Sequence, residues 1–360
     1  MRAFDNRDAP SLMVDQLSLE ISRREAKPMS QNFTICVGTV GAGVWFSSDS
    51  GERWRRSRMK LPFEAEPGEI QIRLLAVSPH DSHHVLAGSE AGLYRSEDNG
   101  ANWELVESPA FGRQIWSVAF HPGEPDTIFF GTKQPGVYRS QDRGKSWEQL
   151  AIPMAERCLA GAPKVTNILV DPRDKKTLWV GVEIDGVYCS RDNGATWTHR
   201  KMGENVLNLD VHGLAISPGD PGKLLVTTPD GIWSSLDDGA SWSLHGFPRF
   251  AERDQISYCR GVALKPGDPN TIFVGNGDFI PGKRGAIQRS RDGGQNWERC
   301  KLPVEANSVI YWFGTHPANP DVVVANSLHG YVYLSTDAGD SWNMLDREFG
   351  EICALTWMPN

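Results

Sequence analysis

The sequence predicts an all-β fold, a seven-bladed β-propeller of four-stranded antiparallel blades whose ring is closed by the C-terminal strand. Three observations support this prediction. One eight-residue pattern occurs seven times, strand-like segments repeat around every copy, and the two ends of the chain complement each other. A repeat period of 44 to 55 residues is typical of propellers and solenoids rather than of single-layer domains.

The repeated pattern, Ser-x-Asp-x-Gly-x-x-Trp, predicts a tight hairpin turn. Ser and Asp side chains accept hydrogen bonds from nearby backbone N–H groups. Gly adopts positive φ without a Cβ clash, and Trp supplies a large apolar surface that fixes the turn to the sheet. We therefore expect a structural role for all seven aspartates, which are Asp49, Asp98, Asp142, Asp192, Asp237, Asp292 and Asp337.

These residues resemble the Asp-box (BNR) repeat, and the chain as a whole resembles the sialidase-like and photosystem II assembly factor-like propellers. In that family the box joins the third and fourth strands of a blade, on the face opposite the ligand. The resemblance thus implies a ligand site on the other face. The Phe-Arg-Ile-Pro motif of sialidases is absent from the chain, so the resemblance does not extend to sialidase activity.

The strands of each blade are predicted from segments that recur upstream of the box. In the third repeat, a segment ending in Pro (118–122) is followed by an apolar segment ending in Gly (127–131) and by a Gly-x-Tyr segment (136–140). Short β-branched and aromatic runs separated by Pro, Gly and Asp are typical of strands and turns. With the segment after the box, each repeat provides four strands.

The ends of the chain predict how the ring closes. The first box lacks an upstream Pro-terminated strand, whereas residues 352–359 have the form of that strand. Pairing the two ends removes two exposed sheet edges. We therefore expect one propeller domain over residues 31–360. Residues 1–30 lie outside the repeat, and we expect a poorly ordered extension or a short amphipathic helix there.

Composition restricts the classes of partner. The net charge is −8, the pI is about 5.6, and the six cysteines show no paired spacing. An acidic chain offers no electrostatic basis for binding nucleic acid or an anionic membrane. Residues 1–30 contain no long apolar run typical of an export signal. We therefore expect a cytoplasmic protein with reduced thiols, either a monomer or a homodimer.

Candidate site residues emerge when the innermost strands are aligned on their terminal Pro. Residues two apart lie on the same side of a strand, and the start of each inner strand faces the mouth of the central channel, beside the variable loops. Six positions before the Pro stand Arg73, Trp116, Thr166, His212, Arg260, Tyr311 and Cys353. Eight positions before it stand Gln71, Gln114, Lys164, Asp210, Tyr258, Val309 and Glu351. Loops on the same face add Glu90, Glu183 and His329.

These residue types predict an enzyme, a hydrolase or lyase that uses acid–base chemistry on a small, polar, anionic substrate. Arginine forks bind carboxylate or phosphate. His212 would be the base or acid, oriented by Asp210, and Tyr311 would assist proton transfer with a pKa lowered by a neighbouring cation. The predicted substrate-binding residues are Arg73, Arg260, Tyr258, Lys164, Trp116, Glu183 and His329.

Four alternatives stay open at this point. The polar mouth could simply be a wet channel, or the protein could be a non-catalytic scaffold that binds a protein partner on its loop face. It could also be a glycosidase that uses Glu183 and Asp210 as its carboxylate pair. No cofactor is required. A divalent metal is a lesser alternative, suggested by the His and Glu ligands of seven-bladed streptogramin lyases, with His212, His329, Glu183 and Glu90 as the candidate set.

Overall fold

Seven sheets, each built on four antiparallel strands and one with an added fifth strand, are arranged as the blades of a propeller, which confirms the predicted fold class. In this computed structural model the described residues are 32–60, 70–219, 222–252 and 256–360. The predicted N-terminal extension, residues 1–30, lies outside them. Asn32–Asn360 form one compact unit.

The first three blades and the strand that links two of them are formed by the first part of the described chain. Blade 1 contains β1 (Phe33–Thr39), β2 (Val44–Ser47) and β3 (Arg55–Arg56). Blade 2 contains β4 (Arg58–Met59), β5 (Ile72–Val77), β6 (Val85–Ser89), β7 (Leu93–Ser96) and β8 (Asn102–Leu105). Blade 3 contains β9 (Ile115–Phe120), β10 (Ile128–Thr132), β11 (Gly136–Ser140) and β12 (Glu148–Leu150).

The remaining blades follow in chain order, with one short helix between blades 4 and 5. Blade 4 contains β13 (Val165–Val170), β14 (Leu178–Val182), β15 (Gly186–Ser190) and β16 (Thr198–Arg200), and the helix α1 (Val206–Leu209) follows it. Blade 5 contains β17 (Gly213–Ser217), β18 (Lys223–Thr228), β19 (Gly231–Ser235) and β20 (Ser243–His245).

Blade 6 contains β21 (Tyr258–Lys265), β22 (Asp268–Gly277), β23 (Gly285–Ser290) and β24 (Glu298–Arg299). Blade 7 contains β25 (Ile310–Thr315), β26 (Val323–Ser327), β27 (Val332–Ser335) and β28 (Asn343–Met344). The last strand is β29 (Ile352–Pro359).

The C-terminal strand closes the ring, as predicted. Blade 1 has the strand order β29-β1-β2-β3, so the innermost strand of the first blade comes from the end of the chain. The pairing is antiparallel and runs from Phe33 opposite Pro359 to Val37 opposite Leu355. Val37 and Leu355 pack with Val324 of blade 7 in one buried cluster. The apolar core thus lies between neighbouring blades.

The turn after each third strand has the geometry that the repeated pattern predicts. In blade 3, Ser140 Oγ donates to Asp142 Oδ1 (2.8 Å) and accepts from the N–H of Gly144 (2.8 Å). Asp142 also accepts from the backbone N–H (2.9 Å) and the hydroxyl (2.6 Å) of Ser146. Gly144 has φ +85°. The same Ser–Asp and Gly–Ser hydrogen bonds occur in all seven blades, so the seven aspartates have the predicted structural role.

Two short elements fall outside the predicted repeat. β4 pairs in parallel with β8, so the chain leaving blade 1 adds a fifth strand to blade 2. Helix α1 begins after Asn205, whose side chain accepts a hydrogen bond from the N–H of Leu207 at 3.0 Å. Both elements occupy connections between blades and leave the ring unchanged.

Candidate functional site

β-Bulges on the inner strands position the side chains at the channel mouth. In blade 2, Ile72 pairs with Ser89 and Leu74 with Gly88, which leaves Arg73 as the extra residue. The bulged residues of the other inner strands are Trp116, Thr166, Arg260 with Gly261, Tyr311 and Cys353. Bulges redirect side chains and are frequent beside functional sites. Six of the seven residues aligned six positions before the Pro are therefore bulge residues.

A glycine opposite the bulge explains one part of the repeat. Gly88 faces the bulge at Arg73, and a Cβ at this position would lie 2.8 Å from Ile115 Cγ2 of the next blade. The Gly near the end of the second strand thus permits close packing between blades at the level of the mouth.

Trp116 lies between two cations. The guanidinium carbon of Arg73 and the ammonium of Lys164 are each 4.4 Å from the indole centroid. Each cation also has a carboxylate partner from a neighbouring loop. Arg73 Nη2 is 2.5 Å from Glu90 Oε1, and Lys164 Nζ is 2.6 Å from Glu183 Oε1. These ion pairs, which the alignment did not predict, make a half-buried charged wall along blades 2 to 4.

His212 is held on both ring nitrogens. Its Nδ1 is 2.7 Å from the carbonyl oxygen of Cys259, which can only accept, so Nδ1 carries a proton. Its Nε2 is 3.2 Å from Asp210 Oδ2 and 3.0 Å from Tyr258 Oη. The Cys259 carbonyl therefore orients the ring, whereas Asp210 lies at the opposite nitrogen. Only 2% of the His212 side chain is exposed, against 19% of Asp210, so Asp210 is the more accessible partner.

Arg260 and Tyr311 form a second stacked pair. Arg260 Nη2 donates to Tyr311 Oη at 2.7 Å, and its guanidinium carbon is 4.5 Å from the ring centroid. Arg260 acts to lower the Tyr311 pKa, as predicted, but the net pKa of this phenol is raised and not lowered. Burial raises the pKa of Tyr311 and outweighs the opposing charge of Arg260. Burial likewise raises the pKa of Tyr258.

The charged groups at the mouth lie close enough to shift one another's pKa, so we treat them as one cluster. Burial alone would raise the pKa of Asp210, but the charge and hydrogen bond of His212, with the charges of Arg260 and Lys164, hold it below its ordinary value. Asp210 is thus ionised at neutral pH. The thiol of Cys353 belongs to the same region, since Arg73 and Arg260 oppose the burial that raises its pKa.

Four buried polar atoms at the mouth have no hydrogen-bond partner among the described residues. Two are donors, and two are carboxylate acceptors. They are Arg73 Nε, Arg260 Nε, Asp210 Oδ1 and Glu183 Oε2. Buried polar atoms are paired in most folded proteins, and leaving one unpaired costs about 1–3 kcal/mol. A ligand that both accepts and donates hydrogen bonds would satisfy this set.

The imidazole of His329 makes no described contact with the cluster, and the four residues of the possible metal set do not converge. The N–H of His329 donates to Ser308 Oγ and its carbonyl accepts from Asn307, but no contact of its imidazole with the mouth is found within the described residues. Over the same part of the chain, no group of three or more His, Cys, Asp and Glu side chains is arranged to hold a metal ion. Within that part of the chain His212, His329, Glu183 and Glu90 therefore form no such group, and both glutamates pair with cations.

The longest loop insertion lies beside the mouth. The Phe279 ring is 6.3 Å from that of Tyr258, and Ile280 packs against the cluster that contains Tyr258 and Tyr311. Asp278 fixes the loop by accepting from the N–H of Lys283 at 2.9 Å. Phe279 itself is 60% exposed. No helix among the described residues is long and apolar enough to span a bilayer.

Comparisons with known proteins identify relatives of the fold. A family model described as sortilin, neurotensin receptor 3, matches residues 91–184. The oligoxyloglucan-reducing end-specific xyloglucanase of Emericella nidulans is 25% identical over 152 residues, which cover 39% of this chain and 18% of that protein. The chain thus spans less than a fifth of this curated relative.

Solved structures share the propeller over most of the chain. The GH74 xyloglucanase from Xanthomonas campestris matches with a TM-score of 0.62 and 18% identity, covering 92% of this chain and 53% of that one. The structure of YCF48 bound to D1 peptide matches with a TM-score of 0.57 and 18% identity, covering 86% of this chain and 87% of that one. At these identities the likeness establishes the fold alone.

Proposed function

We propose that the channel mouth binds a small polyhydroxylated substrate with an anionic group and that the protein hydrolyses it by acid–base chemistry. The observation that carries this proposal is the set of four unpartnered buried atoms, two guanidinium donors and two carboxylate acceptors. A carboxylate of the substrate would accept from Arg73 and Arg260. Its hydroxyl groups would donate to Asp210 and Glu183.

Asp210 takes the leading catalytic role in this proposal, in place of the base first assigned to His212. Its free Oδ1 would accept a proton from the attacking water as the water oxygen bonds to the substrate. The protonated carboxyl, held by His212 Nε2 at 3.2 Å from Oδ2, would return that proton to the leaving oxygen as the old bond breaks. Tyr258 would hold Nε2 in place. Tyr311, with its raised pKa, would stay neutral and would orient Arg260 by accepting a hydrogen bond from its Nη2.

The relatives support the hydrolase class and a carbohydrate-like substrate, since two of them are named as xyloglucanases. In a glycosidase mechanism Glu183 would be the second carboxylate. Its Oε1 pairs with Lys164 Nζ at 2.6 Å, which leaves Oε2 to face the substrate.

The test is hydrolysis of para-nitrophenyl glycosides in matched neutral and acidic pairs, glucoside with glucuronide and galactoside with galacturonide. We expect turnover of at least one uronide, about tenfold more efficient than its neutral partner. Asp210→Asn should lower kcat about 100-fold or more, and Arg73→Gln should raise KM for the uronide alone.

The matched control is Asp126→Asn, the same change of charge at an exposed residue on the opposite face. It should retain wild-type rates. Equal rates for Asp210→Asn and wild type, or no turnover and no thermal stabilisation by any glycoside of the panel, would remove the hydrolase proposal.

A second candidate function is binding of a protein partner on the loop face. Three large apolar side chains are exposed on loops of that face: Phe111, Leu159 and Phe279, at 60%, 86% and 60% exposure. The YCF48 structure of similar fold holds a peptide. If this function holds, an apolar peptide with a free C-terminal carboxylate should bind more tightly than its amide, and Ser substitutions at the three positions should weaken both. Equal affinity for acid and amide would exclude carboxylate capture at the mouth.

A further inference from the structure

The opposite end of the channel has a chemistry of its own. Where the inner strands reach their terminal prolines, a cavity of about 550 Å³ opens, lined by residues of six inner strands and by Pro122, which follows the inner strand of blade 3. Its lining includes Ala76, Leu169, Ala215, Leu264 and Trp312, and among the described residues it contains no Asp, Glu, Lys or Arg. Burial lowers the pKa of His316, a titratable residue of this lining, so that its ring is neutral at pH 7. Ligand cavities of this volume are typically apolar with a few polar groups.

This cavity continues along the axis into a narrower one. The second cavity has a volume of about 160 Å³ and shares Leu75, Leu169, Leu214 and Trp312 with the first. We call the two together the axial slot. Its wide part opens at the proline end and its narrow part lies toward the mouth, so an occupant must be elongated. A folded protein surface is too broad to enter it.

The narrow part of the axial slot has polar groups whose hydrogens are largely engaged. Ser117 Oγ donates to the Val165 carbonyl at 2.8 Å, and Thr166 Oγ1 donates to the Val211 carbonyl at 2.8 Å. Asn167 Nδ2 donates to the His212 carbonyl at 3.1 Å. What these side chains still offer is mainly the lone pairs of two hydroxyls and of Asn167 Oδ1. The narrow part therefore favours a hydrogen-bond donor.

We propose that the axial slot is a second binding site, for an uncharged aliphatic molecule that ends in a hydroxyl group. The hydroxyl donates to Ser117, Thr166 or Asn167 in the narrow part, and the hydrocarbon chain lies against Leu169, Leu264 and the alanines of the wide part. An anionic chain is disfavoured because no cation lines the slot in the part of the chain that the structure describes. This site does not depend on the function proposed for the mouth.

Three probes with the same hydrocarbon chain test the proposal: 1-octanol, octyl methyl ether and octanoate. We expect 1-octanol to bind in calorimetry and to raise the unfolding temperature with increasing concentration. The ether lacks only the donor and should bind about tenfold more weakly, and octanoate should bind more weakly still. Asp210→Asn, which alters the mouth alone, should keep the affinity for 1-octanol.

Variants with a larger side chain in the axial slot test the proposal from the side of the protein. Ala215→Phe places a ring in the wide part and should lower the affinity for 1-octanol at least tenfold. Ala195→Phe adds the same ring at an exposed turn and should bind like wild type. Ala263→Leu, a smaller change in the same wall, replaces Ala215→Phe if that variant does not fold. The proposal would be overturned if 1-octanol did not bind, or if the ether bound as tightly as 1-octanol. Tighter binding of octanoate would overturn it as well. So would an unchanged affinity for 1-octanol in the folded filling variant.

Discussion

A single indole organises the two cations on one side of the channel mouth. Arg73 and Lys164 both stack on Trp116, and each has its own glutamate. The stacking holds the positive charges near the axis without neutralising them further. Both cations contact the indole, so in the proposed site Trp116 would position Arg73 and Lys164.

Replacement of Trp116 should release both cations. A cation–π contact contributes about 0.5–2 kcal/mol, so we expect Trp116→Leu to lower the free energy of unfolding by about 1–3 kcal/mol. Trp116→Phe keeps an aromatic face and should lose less than half as much. Urea unfolding of the three proteins measures the difference. Equal losses for Leu and Phe would show that the indole acts through volume and not through its π face.

The sequence allowed us to predict which side chains lie at the mouth, but not which groups they contact. Aligning the inner strands on their prolines located Arg73, His212, Arg260 and Tyr311 at one mouth, because the bulge occurs at the same place in most blades. The sequence could not show that a backbone carbonyl takes Nδ1 of His212, since that contact joins neighbouring blades. Nor could it show that burial outweighs a neighbouring cation in setting the Tyr311 pKa.

At the scale of the element, the repeated turn is a carboxylate held by hydrogen bonds. The hydroxyl and N–H of Ser146 and the hydroxyl of Ser140 lower the pKa of Asp142 to about 2, and similar contacts lower that of Asp192 to about 2. A carboxyl whose folded pKa lies below its unfolded value of about 4 stabilises the fold above that pH. That contribution is lost as the pH falls from about 4 to about 2.

Asp142→Asn should therefore have a pH-dependent effect. At pH 7 we expect a lower unfolding temperature than wild type, because the amide accepts fewer and weaker hydrogen bonds. The gap between the two proteins should narrow as the pH falls from 4 to 2, since wild-type Asp142 becomes protonated over that range. Calorimetric scans at pH 7, 4, 3 and 2 measure it. A gap of constant size would mean that the carboxylate charge has no part in holding the turn.

The repeated elements were predictable and the exceptional ones were not. Every box predicted a turn between third and fourth strands because its side chains act within a few residues of one another. β4 has two residues and α1 has four, which is too short for any periodic pattern. The parallel pairing of β4 with β8 depends on where two blades meet.

At the scale of the whole molecule, closure of the ring depends on β29. This strand pairs with β1 along its whole length and contributes Leu355 and Trp357 to the core between blades 1 and 7. In its absence β1 would present an unpaired edge at the channel, and the cluster would lose three of its large side chains, Ile352, Leu355 and Trp357.

Truncation after Glu351 should open the ring. We expect loss of the single cooperative unfolding transition, measured by circular dichroism, together with increased aggregation. A synthetic peptide of residues 351–360 added to the truncated protein should restore the transition, whereas a peptide of the same composition in scrambled order should not. Cooperative unfolding of the truncated protein at the wild-type temperature would show that blade 1 is stable without its innermost strand.

The six cysteines all lie in the described part of the chain, and none forms a disulfide. The cytoplasmic location and the state of monomer or homodimer stay predictions.

Seven similar blades build a mouth with no symmetry. The equivalent inner-strand positions carry Arg73, Trp116, Thr166, His212, Arg260, Tyr311 and Cys353, with only the guanidinium occurring twice. A molecule bound on the axis therefore meets a different group at almost every bearing. The mirror image of such a molecule would place its donors and acceptors opposite the wrong side chains. A nearly symmetric backbone thus carries an asymmetric ring of side chains, and we expect this ring to bind one enantiomer of a chiral ligand and not the other.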